Sequence, residues 1–255
     1  PFLAHSQSLS HDLDSILQKT FPVNRPGGAL LVVENDRIIF KKAIGLADLE
    51  KRKPLTAKTN FRMASVSKQF TAMAILLLEK QGKLSFDDPL TRFFPVFASV
   101  GKTVKIRHLL THSSGLLDYE NLMPDTLSHQ LSDAEVLLML EPVNSLDFPP
   151  GSAFRYSNGG YCLLAQIVEK VSGKTFANFL SDNIFKPIGM KNTCVFEQRK
   201  RIKNRAFGYA KDEQEQLVFS DQSLTSATQG DGGVYTSLDD YLKWHRALES
   251  NHFLD

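Results

Sequence analysis

Ser65 and Lys68 lie three residues apart in the stretch Phe61-Arg62-Met63-Ala64-Ser65-Val66-Ser67-Lys68-Gln69-Phe70. Residues three apart on a helix are neighbours on one face, so the Ser65 hydroxyl and the Lys68 amine can meet. A serine hydroxyl is a poor nucleophile until a base takes its proton, and a partly desolvated lysine with an accessible neutral form is such a base. A serine at a helix start also lies where free backbone N–H groups face developing negative charge. The bare pattern is weak, because about one Ser-x-x-Lys arises by chance in a chain this long. Ser99-Val100-Gly101-Lys102 is in fact a second match. Context separates the two. Ser99 falls in a predicted loop with no apolar helix behind it. Ser65 heads a stripe of Val66, Phe70, Met73, Ala74, Leu77 and Leu78, widened by Ile75 and Leu76 and stopped by Gly82. Such a helix is predicted to be central and buried except at its first turn. The competing structural reading is a helix cap beside a solvated lysine.

A second constellation is Tyr156-Ser157-Asn158, which follows the turn-rich Pro149-Pro150-Gly151-Ser152 and precedes a helical stripe of Tyr161, Leu164, Ala165, Val168 and Val171. Residues two apart in an extended segment point to one side. Tyr156 can then share protons with Lys68 and Ser65, while Asn158 offers an amide to a substrate carbonyl or to the lysine. The tripeptide recurs as Tyr119-Glu120-Asn121, so it proves little alone, and both residues also fit as ordinary turn residues.

These groups need elements to position them. Ser10 to Phe21 reads as a short amphipathic helix ending before Pro22. Ala29–Val33 and Ile38–Ala43 are β-rich runs joined as a hairpin by Glu34-Asn35-Asp36-Arg37. Ser132-Asp133-Ala134-Glu135 is a capping box for a helix ending near Pro142. Strands return after Thr193, and Ser237 caps a last helix running to about Leu248. The order of strands, a long helical insertion and strands again predicts an α/β (α+β) fold, with an antiparallel sheet flanked by helices plus an all-helical domain. The sheet-containing domain is expected over 1–62 and 193–255, and the helical one, carrying the motifs, over 63–192. A cleft between two such parts is a natural ligand site.

At 255 residues, 42% hydrophobic and 23% charged, the chain has the composition of a globular protein able to bury a sizeable core. Its net charge of +2 gives no global reason to expect nucleic acid as a partner. Arg199-Lys200-Arg201 with Lys203 and Arg205 reads as a solvated basic loop. Ala72 to Leu78, the longest strongly apolar run, is far too short to span a bilayer. No basic region followed by an apolar one opens the chain as an export signal would. Cys162 and Cys194 form neither a disulfide framework nor a zinc pattern, and Cys162 reads as a buried inert thiol. Ser181-Asp182-Asn183 and Gly173-Lys174-Thr175 imitate hydrolase and phosphate-loop motifs, but their neighbours argue against both. His108 and His112 lack the adjacent glutamate of a zinc protease and read as helix-end histidines with structural hydrogen bonds.

The stretch around Ser65, then Leu109-Leu110-Thr111-His112-Ser113-Ser114-Gly115-Leu116, then Tyr156-Ser157-Asn158 with Gly160-Tyr161, resembles the signatures of class C β-lactamases and related esterases and DD-peptidases. Pro187-Ile188-Gly189-Met190 and Gly232-Gly233-Val234 fit the same order, and the similarity runs from about Gly28 to Leu248. The resemblance implies a serine β-lactamase/transpeptidase-like fold. It implies that Ser65 is acylated, that Lys68 and Tyr156 handle the proton, that Asn158 helps hold substrate, and that no metal or organic cofactor takes part. The partner would be a small-molecule or peptide acyl substrate, and frequent cell-wall substrates in the family imply an exported protein. The family's third motif, Lys-Thr-Gly or His-x-Gly on a late strand, does not follow Asn158 in a plausible place. Either the chain is a fragment or the site lacks that wall. Its loss would remove an oxyanion donor worth about 3 kcal/mol of barrier and leave a sheet edge unpaired. Three readings remain open at this point: a hydrolase of amides, esters or β-lactams, a sensor that stays acylated, and a non-catalytic scaffold.

Overall fold

A computed structural model describes residues 2–255, with side chains described from Leu9 onward. Helix α1 (Phe2–Thr20) begins earlier than the expected Ser10. The hairpin β1 (Gly28–Glu34) and β2 (Arg37–Ile44) turns through Asn35 and Asp36, both at positive φ (50° and 61°). Two left-handed central residues match the right-handed twist of the flanking strands, and Asn and Asp tolerate that conformation.

The antiparallel pairing expected for the sheet is present, divided among four small sheets of the described residues. Besides β1 with β2, these join β3 (Leu46–Asp48) to β4 (Lys53–Pro54) and β7 (Tyr209–Lys211) to β8 (Leu217–Phe219). The three-stranded sheet sets β9 (Val234–Thr236) between β5 (Phe61–Arg62) and β6 (Cys194–Val195). Its strands are two or three residues long, so packing beneath them must supply most of their stability.

No strand element lies between β5 and β6 in sequence. That interval holds α2 (Lys68–Lys80), α3 (Ile106–Leu110), α4 (Asp133–Leu140), α5 (Asn158–Ser172) and α6 (Phe176–Leu180); α7 (Leu238–Glu249) follows β9. Ser132 and Glu135 cap α4 reciprocally, Gly173 closes α5 at φ 68°, and Ser237 accepts the Asp240 N–H at the start of α7. Each cap satisfies a backbone group the helix itself leaves unpaired.

The core sits between α2 and α5. Phe70, Ala74, Ile75 and Leu78 of α2 are fully buried, as are Cys162, Leu163, Leu164, Ile167 and Val168 of α5. The Phe70 ring lies 4.5 Å from that of Trp244 and 5.5 Å from that of Phe185. Burying such a side chain stabilises by about 1.5–3 kcal/mol, so this contact is the frame on which the polar residues at the head of α2 are mounted. Burial also pushes the Cys162 thiol well above its ordinary range and leaves it inert. Ser181-Asp182-Asn183 forms a wide helical turn, with Asp182 paired to Lys174 and Lys186.

Candidate active site

The turn that carries Ser65 is pinned to the central strand. Met63 N–H donates to Val234 O at 2.9 Å, and Val234 N–H donates to the buried Ser67 hydroxyl at 3.0 Å. Between them Ala64 takes φ 45°, a left-handed conformation costing an alanine about 1–2 kcal/mol. The chain bends there into a single 3₁₀ turn, Ala64–Ser67, that runs directly into α2. Ser65 is exposed on that turn while Ser67 and Lys68 are buried beneath it. Within the turn Val66 N–H donates to Met63 O at 3.0 Å and Lys68 N–H donates to Ser65 O.

Lys68 is only 7% exposed. Its ammonium donates to Asn158 Oδ1 at 2.8 Å, to the Asp231 carbonyl at 2.9 Å and to Ser65 Oγ at 3.3 Å. Three donors meet three acceptors, which is what a buried ammonium requires. The same nitrogen lies 4.8 Å from the Tyr156 ring centroid and 5.5 Å from that of Tyr161. Tyr156 OH is 2.7 Å from Ser65 Oγ. The serine oxygen therefore sits between a phenol and an ammonium, either of which can exchange a proton with it.

Ser157 is extended (φ −135°, ψ 118°) and its hydroxyl accepts the Gly160 N–H at 3.0 Å. This cap fixes where α5 starts and sends Tyr156 and Asn158 toward Lys68. All four residues expected at the site thus converge: Ser65, Lys68, Tyr156 and Asn158. Asn158 spends both ends of its amide inside the protein, accepting from Lys68 and donating Nδ2–H to Glu120 Oε1 at 3.0 Å.

Sequence reasoning missed Glu120, although the signal was present in the repeat Tyr119-Glu120-Asn121. That tripeptide lies across the site, where its middle residue orients Asn158. It also missed the loop before β9. Gly230 approaches α5 so closely that an added Cβ would stand 2.2 Å from Tyr161 O. Asp133 holds the loop from below, accepting Gln229 N–H at 2.7 Å and Gly230 N–H at 3.1 Å. Burial pushes the Asp133 carboxyl up to about 7. It also raises the Asp231 carboxyl, opposed by the Thr228 hydroxyl and by the charges of Lys68 and Arg62.

His108 and His112 each make the structural hydrogen bond expected of them. Their Nδ1 atoms accept from Lys105 N and Ser157 N, both at 3.1 Å. Among the described residues no three His, Cys, Asp or Glu side chains converge as a metal-binding group. No helix of these residues is long and apolar enough to cross a membrane. Beside Met63, a cavity of ≈ 470 Å³ separates β1 from β5 and β9 and is lined by Gly28, Ala29, Phe61 and Tyr241. Among the described strands β1 pairs only with β2, and β5 only with β9.

Comparison with known proteins agrees with this geometry. Residues 17–255 match the family model described as Beta-lactamase. The chain is 36% identical over 242 residues to penicillin-binding protein 4* of Bacillus subtilis, covering 89% of this chain and 53% of that protein. It is 29% identical to a D-aminopeptidase of Gluconobacter oxydans, covering 92% and 44%. The crystal structure of a penicillin binding protein from Bacillus halodurans superposes with a TM-score of 0.79 at 35% identity, over 89% of this chain and 70% of that one. The chain spans about half the length of the curated relatives it matches. With the motifs in one order, their side chains gathered around one serine and the family model spanning most of its length, this chain belongs to the β-lactamase family.

Proposed function

We propose that the protein is a serine hydrolase that forms an acyl-enzyme at Ser65 from an amide, ester or β-lactam. One observation carries this reading: Ser65 Oγ lies 2.7 Å from Tyr156 OH and 3.3 Å from Lys68 Nζ, within proton-transfer reach of both. Once Tyr156 or Lys68 has given up a proton to solvent, Ser65 Oγ attacks the acyl carbonyl carbon and its own proton passes to that vacated atom. The backbone N–H of Ser65 receives the developing oxyanion. The tetrahedral intermediate collapses, breaking the bond to the leaving amine or alcohol, which takes up the proton. Water then attacks the Ser65 ester by the same route and releases the acid. Lys68 Nζ, 4.8 Å from the Tyr156 ring centroid, favours the negative charge that develops on the phenol. Asn158 and the Asp231 carbonyl hold the ammonium in that place.

The relatives' names, a penicillin-binding protein and a D-aminopeptidase, favour small amides and short peptides with D-amino acids as substrates. Such peptides are cell-wall material, which supports an exported location; fractionation of cells producing the full-length protein tests that part.

Intact mass is the deciding measurement. The protein is mixed with a penicillin, a D-aminoacyl p-nitroanilide and a p-nitrophenyl ester, beside Ser65→Ala. A mass increase that needs Ser65, or turnover that needs it, supports the hydrolase. Silence toward all three compounds and toward a fluorophosphonate sinks it.

A further inference from the structure

We propose that His112 is the positioning residue for Tyr156, a role that rests on the hydrolase reading above. His112 grips both flanks of the tyrosine. Its carbonyl accepts the Arg155 N–H at 2.9 Å, and its Nδ1 accepts the Ser157 N–H at 3.1 Å. Its ring then stacks on the Tyr156 ring, with centroids 4.5 Å apart and planes 32° from parallel.

The imidazole also meets Tyr161, 5.1 Å away at 33°. Tyr161 is itself tied down, its hydroxyl donating to Leu110 O at 3.0 Å. Phe154 closes one edge, with its ring 5.9 Å away and nearly perpendicular. Tyr156 is 42% exposed, and its other restraints are the Ser65 hydrogen bond and the Lys68 ammonium 4.8 Å from its ring centroid. Without the stack, rotation about its side-chain bonds would carry the hydroxyl away from Ser65 Oγ.

The backbone of His112 supports the same conclusion. It adopts φ 55°, a left-handed conformation uncommon outside glycine but tolerated by Asn, Asp and His. Strain of this kind persists where surrounding structure over-determines it, and it gathers at functional sites. Here it lets one residue present its carbonyl and its ring to the same segment.

Acceptance from Ser157 N–H requires an unprotonated Nδ1, so the working imidazole is neutral with its proton on Nε2. The titratable groups facing it are Lys68 from α2, Tyr156 from the segment before α5 and Tyr161 from α5 itself. Desolvation, then the charge of Lys68, holds the imidazole below its ordinary range, against the opposing bond from Ser157. A lowered histidine pKa means that the folded chain sheds a proton the unfolded chain keeps. Acid therefore works against the clamp. Protonated Nδ1 would set an N–H against the Ser157 N–H and release the segment.

The test compares His112→Ala, His112→Asn and His112→Phe by acylation kinetics per folded molecule across pH 4.5–8. Asn tolerates the left-handed backbone and offers an oxygen where Nδ1 stands; Phe keeps a stacking face but no acceptor. His112→Ala is expected to slow acylation by about 10²-fold with KM nearly unchanged, the cost typical of a misplaced catalytic group. His112→Asn should recover more of the rate than His112→Phe. The acid limb of the pH profile should disappear in His112→Asn. A melting temperature lowered in His112→Ala with acylation per folded molecule unchanged would mean a purely structural histidine and overturn the proposal. So would an acid limb that persists in His112→Asn.

A readout without turnover keeps this separate from the hydrolase reading. In Ser65→Ala protein, nitrogen-15 spectra should show His112 protonated on Nε2, and the Tyr156 ring resonances should average on further substitution of His112 by Ala but not by Asn. Unchanged ring resonances would count against positioning even if Ser65 is never acylated.

Discussion

Two stretches of this chain carry the same spacing, Ser65 to Lys68 and Ser99 to Lys102, and their surroundings have little in common. Lys68 is buried against α5 with three oxygen acceptors and two aromatic faces around it. Ser99 and Lys102 are exposed around a single 3₁₀ turn, and Ser99 makes one hydrogen bond, to Asn144 Oδ1 at 3.3 Å. A lysine in water is a solvated cation; the same lysine buried beside a serine, a phenol and an amide has its charge held among specific protein groups. The two Tyr-x-Asn tripeptides differ in another way. Tyr156 turns its hydroxyl onto Ser65, whereas Tyr119 is fully buried with a hydroxyl that meets no partner among the described residues. Yet the second tripeptide is not idle, because Glu120 reaches Asn158. What separates these copies is the contact each makes at long range, not its own letters.

The largest expected effect falls on the serines. Ser65→Ala should abolish the acyl adduct and lower hydrolysis by at least about 10³-fold. Ser99→Ala should leave both within about two-fold, as measured by intact mass and p-nitrophenyl ester turnover. An equal loss in the two variants would break the comparison. Lys68→Ala and Tyr156→Phe come next, each expected to cost on the order of 10²–10⁴ in acylation rate, against no change for Lys102→Ala.

Tyr119→Phe removes a buried hydroxyl that meets no hydrogen-bond partner among the described residues. It should leave acylation intact and hold or raise the denaturation midpoint, by up to about 1–3 kcal/mol of stability. A large loss of activity there would show that the second tripeptide does more than support Asn158. Glu120→Gln keeps an oxygen able to accept from Asn158, so its steady-state rate should fall only a few-fold, whereas Glu120→Ala should fall further because the amide is then held at one end.

The smallest effect is on stability against pH. The Asp133 carboxyl is raised from 3.8 to about 7 by burial, so between those values the folded chain binds a proton that the unfolded chain has lost. Stability from this group is fully present below the lower value and declines as pH rises through the window. Urea denaturation of wild type and Asp133→Asn should show that decline flattened in the variant. Asn also sets an NH2 against one of two backbone N–H groups, so the variant should be weaker throughout by about 1–3 kcal/mol.

Much of the frame was legible before any coordinates. The apolar stripe of Phe70, Met73, Ala74 and Leu78 marked a buried helix, and Ser132 with Glu135, Gly173 and Ser237 sit at caps whose chemistry is local. Helix periodicity and capping act over three or four residues, so they are written in contiguous letters. Resemblance to a family then singled out Ser65, Lys68, Tyr156 and Asn158 together. The division of the strands into four small sheets was not legible, because pairing of β9 with both β5 and β6 joins segments far apart in the chain. Strands of two or three residues leave almost no period to read.

The sequence by itself determined the helices, their caps and the residue types able to carry acyl transfer, since each depends on neighbours within a turn. Only the tertiary structure decided which serine has a buried lysine beside it and that Glu120 turns toward Asn158. The fold also decided that the Asp231 carbonyl completes the shell of Lys68 and that the His112 ring packs 4.5 Å from that of Tyr156. Those outcomes rest on hydrogen bonds and ring contacts that span tens of residues, and on the burial that makes an unpaired ammonium too costly to tolerate.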